Sequence, residues 1–400
     1  MKILVVCQYY SPEPFRISDI CEEMVKRGHD VTVITGIPNY PEGVIYKGYE
    51  NGQKREENIN GVKVHRCFTI PRKNGALYRI LNYFSFSISS TLFARKCKTS
   101  DGLPFDVVFV NQLSPVMMGN AALSYAKKFK VPTVLYCLDL WPESLIAGGI
   151  QRDSLIYKLF CPISKRIYCG VNCILITSRL FQGYLQEKFG IAKEKIEYLP
   201  QYAEGIFEAL PPKAETDTVD LMFAGNVGAA QSVKTILEAA ILLKDQYKNL
   251  CFHIVGGGSE LSRLQEFAKE KHIDNVIFYG RRPLEEMPDF YKKADAMLVT
   301  LQSDPVLSLT LPGKVQSYMA VGKPIIGAID GETDEVIKAA NCGFCGKAED
   351  VNALVENIKA FIEFQDKEAL GKNAIAYYNN FFCRSLFMDR LEKEFTQIIG

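Results

Sequence analysis

From one end of the chain to the other, short apolar runs bounded by turns alternate with stretches of helical periodicity. That alternation restricts the fold to βαβ units built around parallel sheets. Candidate strands in the first half are Lys2–Cys7, Val31–Thr35, Val62–Cys67, Val107–Asn111, Thr133–Leu138 and Cys173–Thr177. Helical patterns lie between them, such as Ser18–Arg27, which stops at Gly28, the residue best suited to the left-handed position after a last turn. The alternation breaks over Pro200–Thr218, where Pro211-Pro212 and the polar run Lys213–Asp217 read as a linker. It then resumes with strands at Asp220–Ala224, Cys251–Val255, Val276–Tyr279, Ala296–Thr300 and Lys323–Ile329, and helices at Val233–Lys244, Glu260–Lys271, Leu284–Lys292 and Val351–Phe364. A chain of 400 residues exceeds one ordinary core. Two Rossmann-like domains are therefore expected, residues 1–200 and 201–380, with a cleft between them. Residues 381–400 read as a terminal helix, Phe381–Ile399, packing back on the first domain.

Composition narrows the function classes. Nearly half of the residues are apolar, which excludes disorder, and no apolar run approaches the roughly 20 residues of a membrane span. The opening Met1–Gln8 is too short for a signal-peptide core and turns polar at once, so a first strand and a cytoplasmic protein are expected. Twelve cysteines are scattered, several within apolar strands (Cys7, Cys137, Cys173, Cys251), as small apolar residues in a reducing compartment would be. The single Cys342-x-x-Cys345 has no second pair to complete a zinc site. Net charge is +1, yet residues 1–200 hold 26 Lys+Arg against 17 Asp+Glu and the remainder 21 against 29. The positive first half fits an anionic partner, such as a membrane surface or a phosphorylated lipid. Nucleic acid is not expected, because the basic residues are not grouped with aromatics in any recognition motif.

One segment departs from an ordinary soluble domain. Residues 71–98 carry Arg72, Lys73, Arg79, Arg95, Lys96 and Lys98 around an apolar, aromatic middle that includes Leu77, Tyr78, Ile80, Leu81, Tyr83, Phe84, Phe86, Ile88, Leu92 and Phe93. Basic flanks around such a helix suit the inner membrane interface. A core helix of the first domain is the other reading.

Ligands of open α/β sheets bind beyond the carboxyl ends of the strands. In the second half four turns fall on that edge: Gly225-Asn226-Val227-Gly228, Gly256-Gly257-Gly258, Gly280-Arg281-Arg282-Pro283 and the loop and helix from Thr310 to Gly322. In the last of these, Pro312 suits the first helical position and Gly322 the left-handed residue that ends the helix. The amides of Gly313 and Lys314 are then free, and a helix start with a Lys beside it favours an anion. By itself this segment also reads as an ordinary capped helix under a sheet. Glycines admit backbone amides close to a phosphate and Lys314 with Arg281 or Arg282 balances its charge, so the four turns together point to a nucleotide diphosphate.

These residues carry a family resemblance. Gly225-Asn-Val-Gly, Val233-Lys-Thr-Ile-Leu-Glu238, Ile254-Val-Gly-Gly-Gly-Ser-Glu260, Phe278-Tyr-Gly280 and Lys314…Tyr318-Met-Ala-Val-Gly-Lys-Pro324 resemble the donor domain of glycosyltransferase family 4. In the first half Tyr9-Tyr-Ser-Pro-Glu-Pro-Phe-Arg16, Gly36-Ile-Pro-Asn-Tyr-Pro-Glu-Gly43 and Asp139-Leu-Trp-Pro-Glu143 resemble the subgroup that builds O-antigens, capsules and colanic acid on lipid carriers, typified by an N-acetyl-L-fucosaminyltransferase. The resemblance implies the α/β GT-B fold, in which two doubly wound parallel-sheet domains face a central cleft, the first taking the acceptor and the second the nucleotide-sugar donor. It implies a UDP-sugar donor and a lipid-diphosphate-linked sugar acceptor. The family's usual Glu-x7-Glu pair is missing, with Leu309 and Ser317 in its place, and Asn226 and Gln231 stand where an Arg and a Lys are usual. Lys314, the helix amides and Arg281 or Arg282 are expected to take over the diphosphate, with Ser317 on a ribose hydroxyl and Gly225, Gly228, Gly256, Gly257, Leu311, Pro312 and Gly313 completing the donor site.

Family 4 retains the anomeric configuration and generally lacks a clear base. None of His29, His65, His253 and His272 falls in an obvious cleft loop, which agrees. The departing diphosphate then accepts the acceptor's proton while the protein stabilises its charge. No Asp-x-Asp follows a strand in a metal-binding context, so no metal is expected. In the first domain Asp139 ends an apolar strand, with Glu143 a turn later beside Trp141, the only Trp. Asp139 is a candidate for orienting the acceptor, or an N-cap, and Glu143 a candidate for binding the acceptor. Arg16, in the first strand-to-helix loop, is a candidate for a phosphate of donor or acceptor. Asn39, Glu42, Asn111 and Ser114 occupy similar loops, where turn chemistry and acceptor binding both fit. Two other functions share this frame: a UDP-N-acetylglucosamine 2-epimerase, and a nucleotide-sugar-binding protein without turnover.

Overall fold

The computed structural model describes the 400-residue chain except for residues 74, 148, 212, 214 and 215. Pro212 of the expected linker and the side chain of Leu77 lie outside the described residues. Two compact units are present. Met1–Thr177, Phe181–Leu199 and Met388–Gly400 form the first, and Ser178–Leu180 with Pro200–Phe387 the second.

The first unit runs β1 (Lys2–Val6), α1 (Ile17–Lys26), β2 (Asp30–Thr35), β3 (Glu56–Ile59), β4 (Val62–Arg66), α2 (Ala76–Ala94), β5 (Val107–Gln112), α3 (Gly119–Phe129), β6 (Thr133–Cys137), α4 (Ser144–Ala147), α5 (Leu155–Gly170), β7 (Cys173–Ile176), α6 (Leu180–Phe189) and β8 (Ile196–Tyr198). Its eight strands are ordered β3-β4-β2-β1-β5-β6-β7-β8. Every neighbouring pair is parallel except β3 with β4. In that hairpin β3, absent from the strands read in the sequence, joins β4 through Asn60 (φ 49°) and Gly61 (φ 86°), the dipeptide that a two-residue type I′ turn selects. β1 lies between β2 and β5, so the order reverses there, and the carboxyl ends of β1 and β5 mark a ligand crevice.

Helix α2 is a packed layer of this unit, but its polarity is reversed. Asn82, Ser87 and Ser90 are buried with Tyr83 and Phe86, whereas Tyr78, Leu81, Ile88 and Leu92 are exposed. The buried polar groups are satisfied: Asn82 accepts from Gln8 Nε2 and donates to the Ile70 carbonyl, both at 2.6 Å, and Ser87 donates to the Met117 carbonyl at 3.0 Å.

The second unit runs β9 (Val219–Ala224), α7 (Val233–Leu243), β10 (Leu250–Val255), α8 (Leu261–Glu270), β11 (Val276–Gly280), α9 (Met287–Lys293), β12 (Ala296–Thr300), α10 (Gly313–Ala320), β13 (Ile325–Ala328), α11 (Glu332–Ala340), β14 (Gly343–Gly346), α12 (Val351–Glu363) and α13 (Lys367–Phe381). Its six strands are ordered β11-β10-β9-β12-β13-β14 and all pair in parallel. This is the dinucleotide-fold order, with its reversal between β9 and β12. Those two strands pair only at Ala296↔Leu221 and Met297↔Met222. Their carboxyl-terminal halves are therefore unbridged, and a crevice opens there. Pro312 is the N-cap of α10 (φ −63°, ψ 134°), not its first helical residue as the sequence led us to expect, while Gly322 takes φ 76° just past the helix end.

The last helix, α14 (Arg384–Ile399), delivers Met388–Gly400 to the first unit. Met388, Leu391 and Phe395 are buried, with the Phe395 ring edge-on to Phe109 of β5 at 5.4 Å. Around this apolar contact Arg27 reaches Glu392 at 2.6 Å and Asp389 at 2.7 Å, and His29 meets Glu392 at 2.6 Å. Because exposed ion pairs contribute little and aromatic burial much, Phe395→Ala is expected to cost about 3–5 kcal/mol in urea unfolding, and Asp389→Ala less than about 1 kcal/mol.

Candidate functional site

The crevice between β9 and β12 has a floor without side chains. Gly225 (φ 143°) follows β9 and Gly256 (φ 149°) follows β10, both in conformations open to glycine. A methyl group on Gly256 would fall 1.8 Å from the Gly225 carbonyl oxygen, and one on Gly258 2.3 Å from that of Val227. The turns are stitched together by Gly225 N–H to the Val255 carbonyl (2.9 Å), Val227 N–H to Gly257 (2.9 Å) and Glu260 N–H to Val227 (3.0 Å). Glycine is required here so that the turns can pack directly on one another.

Helix α10 brings Lys314 to this floor. Its residue is part-exposed along its length, but Nζ is buried and has no hydrogen-bond partner. The ammonium lies 3.8 Å from the centroid of the Phe223 ring, and a methyl on Gly225 would meet it at 2.9 Å. Burial without a counter-charge lowers its pKa from 10.5 to about 7. Buried polar atoms are mostly paired, so this unpartnered amine is a candidate contact for an anion. Tyr318, one turn further on, holds the helix in place: its hydroxyl donates to the Ala224 carbonyl at 2.9 Å and accepts from the Ala224 N–H at 3.1 Å. It thereby occupies the edge of β9 that β12 leaves unbridged. No side chain caps the start of α10, so its first amides and dipole add to the same anion site.

The other donor-site candidates divide. Gly257 packs against Arg281, whose Cβ would lie 3.3 Å from an added methyl. Arg282 turns back on its own loop, donating to the Tyr279 carbonyl at 3.2 Å and pairing with Glu286 at 3.9 Å. Asn226 donates to Gln231 Oε1 at 3.1 Å across the loop that Gly228 begins, and Thr300 of β12 donates to the Gln231 carbonyl at 2.5 Å. Leu311 is buried in the core of the unit. Pro312 and Gly313 form the helix start. Ser317 donates to Glu204 Oε2 at 3.2 Å and to the Gly313 carbonyl at 3.3 Å. Glu204 therefore delivers a carboxylate beside Ser317 from the segment after β8. The sequence reading missed it, since nothing local distinguishes a lone Glu in a linker.

On the first unit, Trp141 Nε1 donates to Ser114 Oγ at 2.9 Å and Ser114 Oγ donates to Asp139 Oδ2 at 3.0 Å. Burial raises the Asp139 pKa above the usual carboxylate range against these hydrogen bonds. Glu143 is turned inward. Its Oε1 accepts from Tyr157 (2.7 Å), Tyr184 (2.8 Å) and Lys188, and its Oε2 from Arg152 (3.2 Å). Burial alone would raise its pKa, but these donors outweigh it and hold the carboxyl below its ordinary value. With both oxygens engaged inside the unit, Glu143 braces the loop after β6 and presents no free acceptor. Asn39 is also internal: its Oδ1 accepts from the Arg72 N–H at 2.9 Å, and its own N–H donates to Glu13 Oε1 at 2.8 Å. Asn111 is buried in β5, Glu42 is exposed and Arg16 begins α1. Among the described residues no three His, Cys, Asp or Glu side chains gather as metal ligands.

The sign of the Lys314 effect follows from its lowered value. The folded chain holds this proton less tightly than the unfolded one, so stability is favoured above pH 10.5 and is lost as the pH falls through about 7. Lys314→Met removes the unpaired charge while keeping the stem. It is expected to raise the unfolding free energy of the unliganded protein by about 1–3 kcal/mol near pH 7, and to flatten the rise of stability with pH that the wild type shows above pH 7 in thermal unfolding.

Two family models match the chain. The glycosyl transferase 4-like domain covers residues 15–201 and glycosyl transferases group 1 covers 209–377. A putative colanic acid biosynthesis glycosyl transferase of Escherichia coli K12, WcaI, is 28% identical over 384 residues, covering 90% of this chain and 91% of its own. The probable glycosyltransferase WbjE of Pseudomonas aeruginosa is 27% identical over 327 residues, 76% of this chain and 77% of its own. In fold, Anabaena HepE in complex with UDP and glucose superposes with a TM-score of 0.70 at 14% identity, covering 99% of each chain. With one domain model on each half and two parallel-sheet units of this kind, the chain belongs to the family-4 type of GT-B glycosyltransferases.

Proposed function

We propose that the protein transfers a sugar, an N-acetylated hexosamine or deoxyhexosamine such as N-acetyl-L-fucosamine, from a UDP-sugar to a lipid-diphosphate-linked acceptor during assembly of a bacterial surface polysaccharide. The observation that carries the donor half is the buried, unpaired Lys314 ammonium over the Gly225–Gly256 floor. A diphosphate supplies the anion this site lacks, and the UDP in HepE supports the nucleotide. The polysaccharide context rests on the colanic acid name of WcaI.

The chemistry proceeds with retention. The bond from the anomeric carbon to the diphosphate oxygen breaks as the acceptor oxygen bonds on the same face, and that diphosphate oxygen takes the acceptor's proton. Lys314 and the first amides of α10 stabilise the departing charge, an electrostatic contribution that is usually the largest in such transfers. On the first unit Asp139, held through Ser114, orients the acceptor hydroxyl. A resident ammonium makes a metal unnecessary for the leaving group. Among the described residues no helix is long and apolar enough to cross a membrane. The outward Tyr78, Leu81, Ile88 and Leu92 on α2 and the basic residues Arg72, Lys73, Arg95 and Lys96 around it support peripheral contact with an anionic inner face.

At pH 8 Lys314 is largely neutral, so closing on a diphosphate recharges it. UDP binding is expected to take up close to one proton, read by calorimetry in buffers of different ionisation enthalpy. Lys314→Met should abolish that uptake and lower turnover at least about 100-fold. Equal uptake in wild type and variant would move the diphosphate elsewhere.

Incubation with UDP-N-acetylhexosamines and a lipid extract should give a product whose anomeric coupling constant matches the donor's, with turnover unchanged by EDTA. Conversion of the donor alone to a different sugar would instead establish an epimerase. Donor binding without transfer to any extract would establish a nucleotide-sugar-binding protein.

A further inference from the structure

A cavity of about 370 Å³ lies wholly within the first unit, between the start of α2 and the α4–α5 region. Its size is that of a small-molecule site. Arg72, Arg79, Tyr83 and Ser114 supply its polar lining, and Trp141 and Phe160 an aromatic wall. No Asp or Glu is among the lining residues, and among the described residues neither arginine forms an ion pair with one. The nearest carboxylate, Asp139, is reached through Ser114 Oγ at 3.0 Å.

The cavity is built on fixed supports. Glu13, buried and with its pKa raised by burial to about 6, accepts the N–H groups of Asn39 (2.8 Å) and Tyr40 (2.7 Å). Asn39 in turn holds the Arg72 backbone at 2.9 Å, and the Arg72 guanidinium lies 6.0 Å from the Tyr40 ring. Opposite, Trp141 is set edge-on between Tyr83 (5.9 Å) and Phe160 (5.4 Å) and is tied to Ser114 by its indole N–H. Two guanidinium groups facing a hydroxyl-lined hole make a site for phosphate oxygens, which the planar fork engages two at a time.

The exposed surface next to these lining residues has the opposite character. Leu81 follows the lining residue Ile80 on α2, and Leu155 and Leu159 flank Ile156 and Phe160 on α5. All three leucines are exposed, Leu155 by 85%. The Phe84 and Phe160 rings, 6.1 Å apart, join the two helices beneath them. A cationic hole beside an apolar surface matches a ligand with an anionic head and a hydrocarbon tail.

We infer that this cavity holds the diphosphate of the lipid-linked acceptor, with Arg72 and Arg79 on its oxygens and the first part of the lipid across Leu81, Leu155 and Leu159. The assignment rests on the lipid-linked acceptor of the proposed function and deepens it by placing the head group.

Farnesyl diphosphate, inorganic diphosphate and UDP serve as separate probes in calorimetry on the full chain. Farnesyl diphosphate should bind the wild type and weaken about ten-fold in Arg79→Gln, an exposed position where the fold is expected to survive, and in Arg72→Gln, with Arg72→Lys also weaker than the wild type because an ammonium lacks the planar fork. Leu155→Gln with Leu159→Gln should weaken farnesyl diphosphate while leaving inorganic diphosphate unchanged, which separates the lipid from a free phosphate. UDP affinity should be the same in all these variants, and thermal unfolding confirms that each is folded. Failure of farnesyl diphosphate to bind the wild type, or equal affinity in wild type and Arg79→Gln, would overturn the site. Loss of UDP binding in Arg79→Gln would also overturn it, by making the cavity a nucleotide site. Farnesyl diphosphate binding that depends on Arg79, in a protein that transfers no sugar, would sink the enzymatic reading and leave the cavity assignment standing.

Discussion

An ammonium group buried without an anion organises the second unit. Lys314 sits over Phe223 and against Gly225, and its desolvation is the largest unbalanced electrostatic cost in the crevice. The surrounding features have meaning in relation to it. Gly225 leaves room for its ammonium, and Gly256 and Gly258 let the neighbouring turns pack against Gly225 and Val227. Tyr318 fastens its helix to Ala224 with two hydrogen bonds. The parting of β9 from β12 beyond Met222 and Met297 supplies the opening.

The first unit places charge inside by the opposite means, with every buried carboxylate partnered. Glu13 fixes Asn39 and Tyr40 through their backbone, and Glu143 gathers two tyrosines, Lys188 and Arg152. Arg66, also buried, pairs with Glu57 at 2.9 Å and donates to the Ser11 carbonyl at 2.6 Å, which leaves its Nη1 without a partner. Such networks contribute more to the uniqueness of loop geometry than to stability, because desolvation offsets most of the attraction. Here the loops they fix are those that carry Arg72 and Trp141. Helix α2 shows the same economy, turning hydrogen-bonded Asn82, Ser87 and Ser90 inward and leaving Leu81, Ile88 and Leu92 at the surface.

Most of the sheet order was legible because fully buried parallel strands are continuous apolar runs, such as Ile3–Val6 and Phe252–Val255. The edge strand β3 was not, since its exposed positions remove that signal, although Asn60-Gly61 announces the turn. In the donor site the glycine turns and Lys314 stood out by type and spacing. Glu204 did not, because its approach to Ser317 is made by a chain path between elements. Asn39 and Glu143 were candidates for acceptor contacts on the strength of polar loop chemistry, yet both are engaged within the unit. A polar residue in a loop has the same sequence signature whether it faces a ligand or holds the loop.

By itself the sequence determined two Rossmann-like units and a Lys at a helix start among glycine turns. These follow from periodicity and backbone freedom, which are local properties. Only the tertiary structure decided that the Lys314 ammonium is left unpaired, that Arg72 and Arg79 share one cavity with Trp141, and that the apolar face of α2 points outward. Those depend on which elements pack together and on the desolvation that packing imposes, and neither is written in the spacing of residues along the chain.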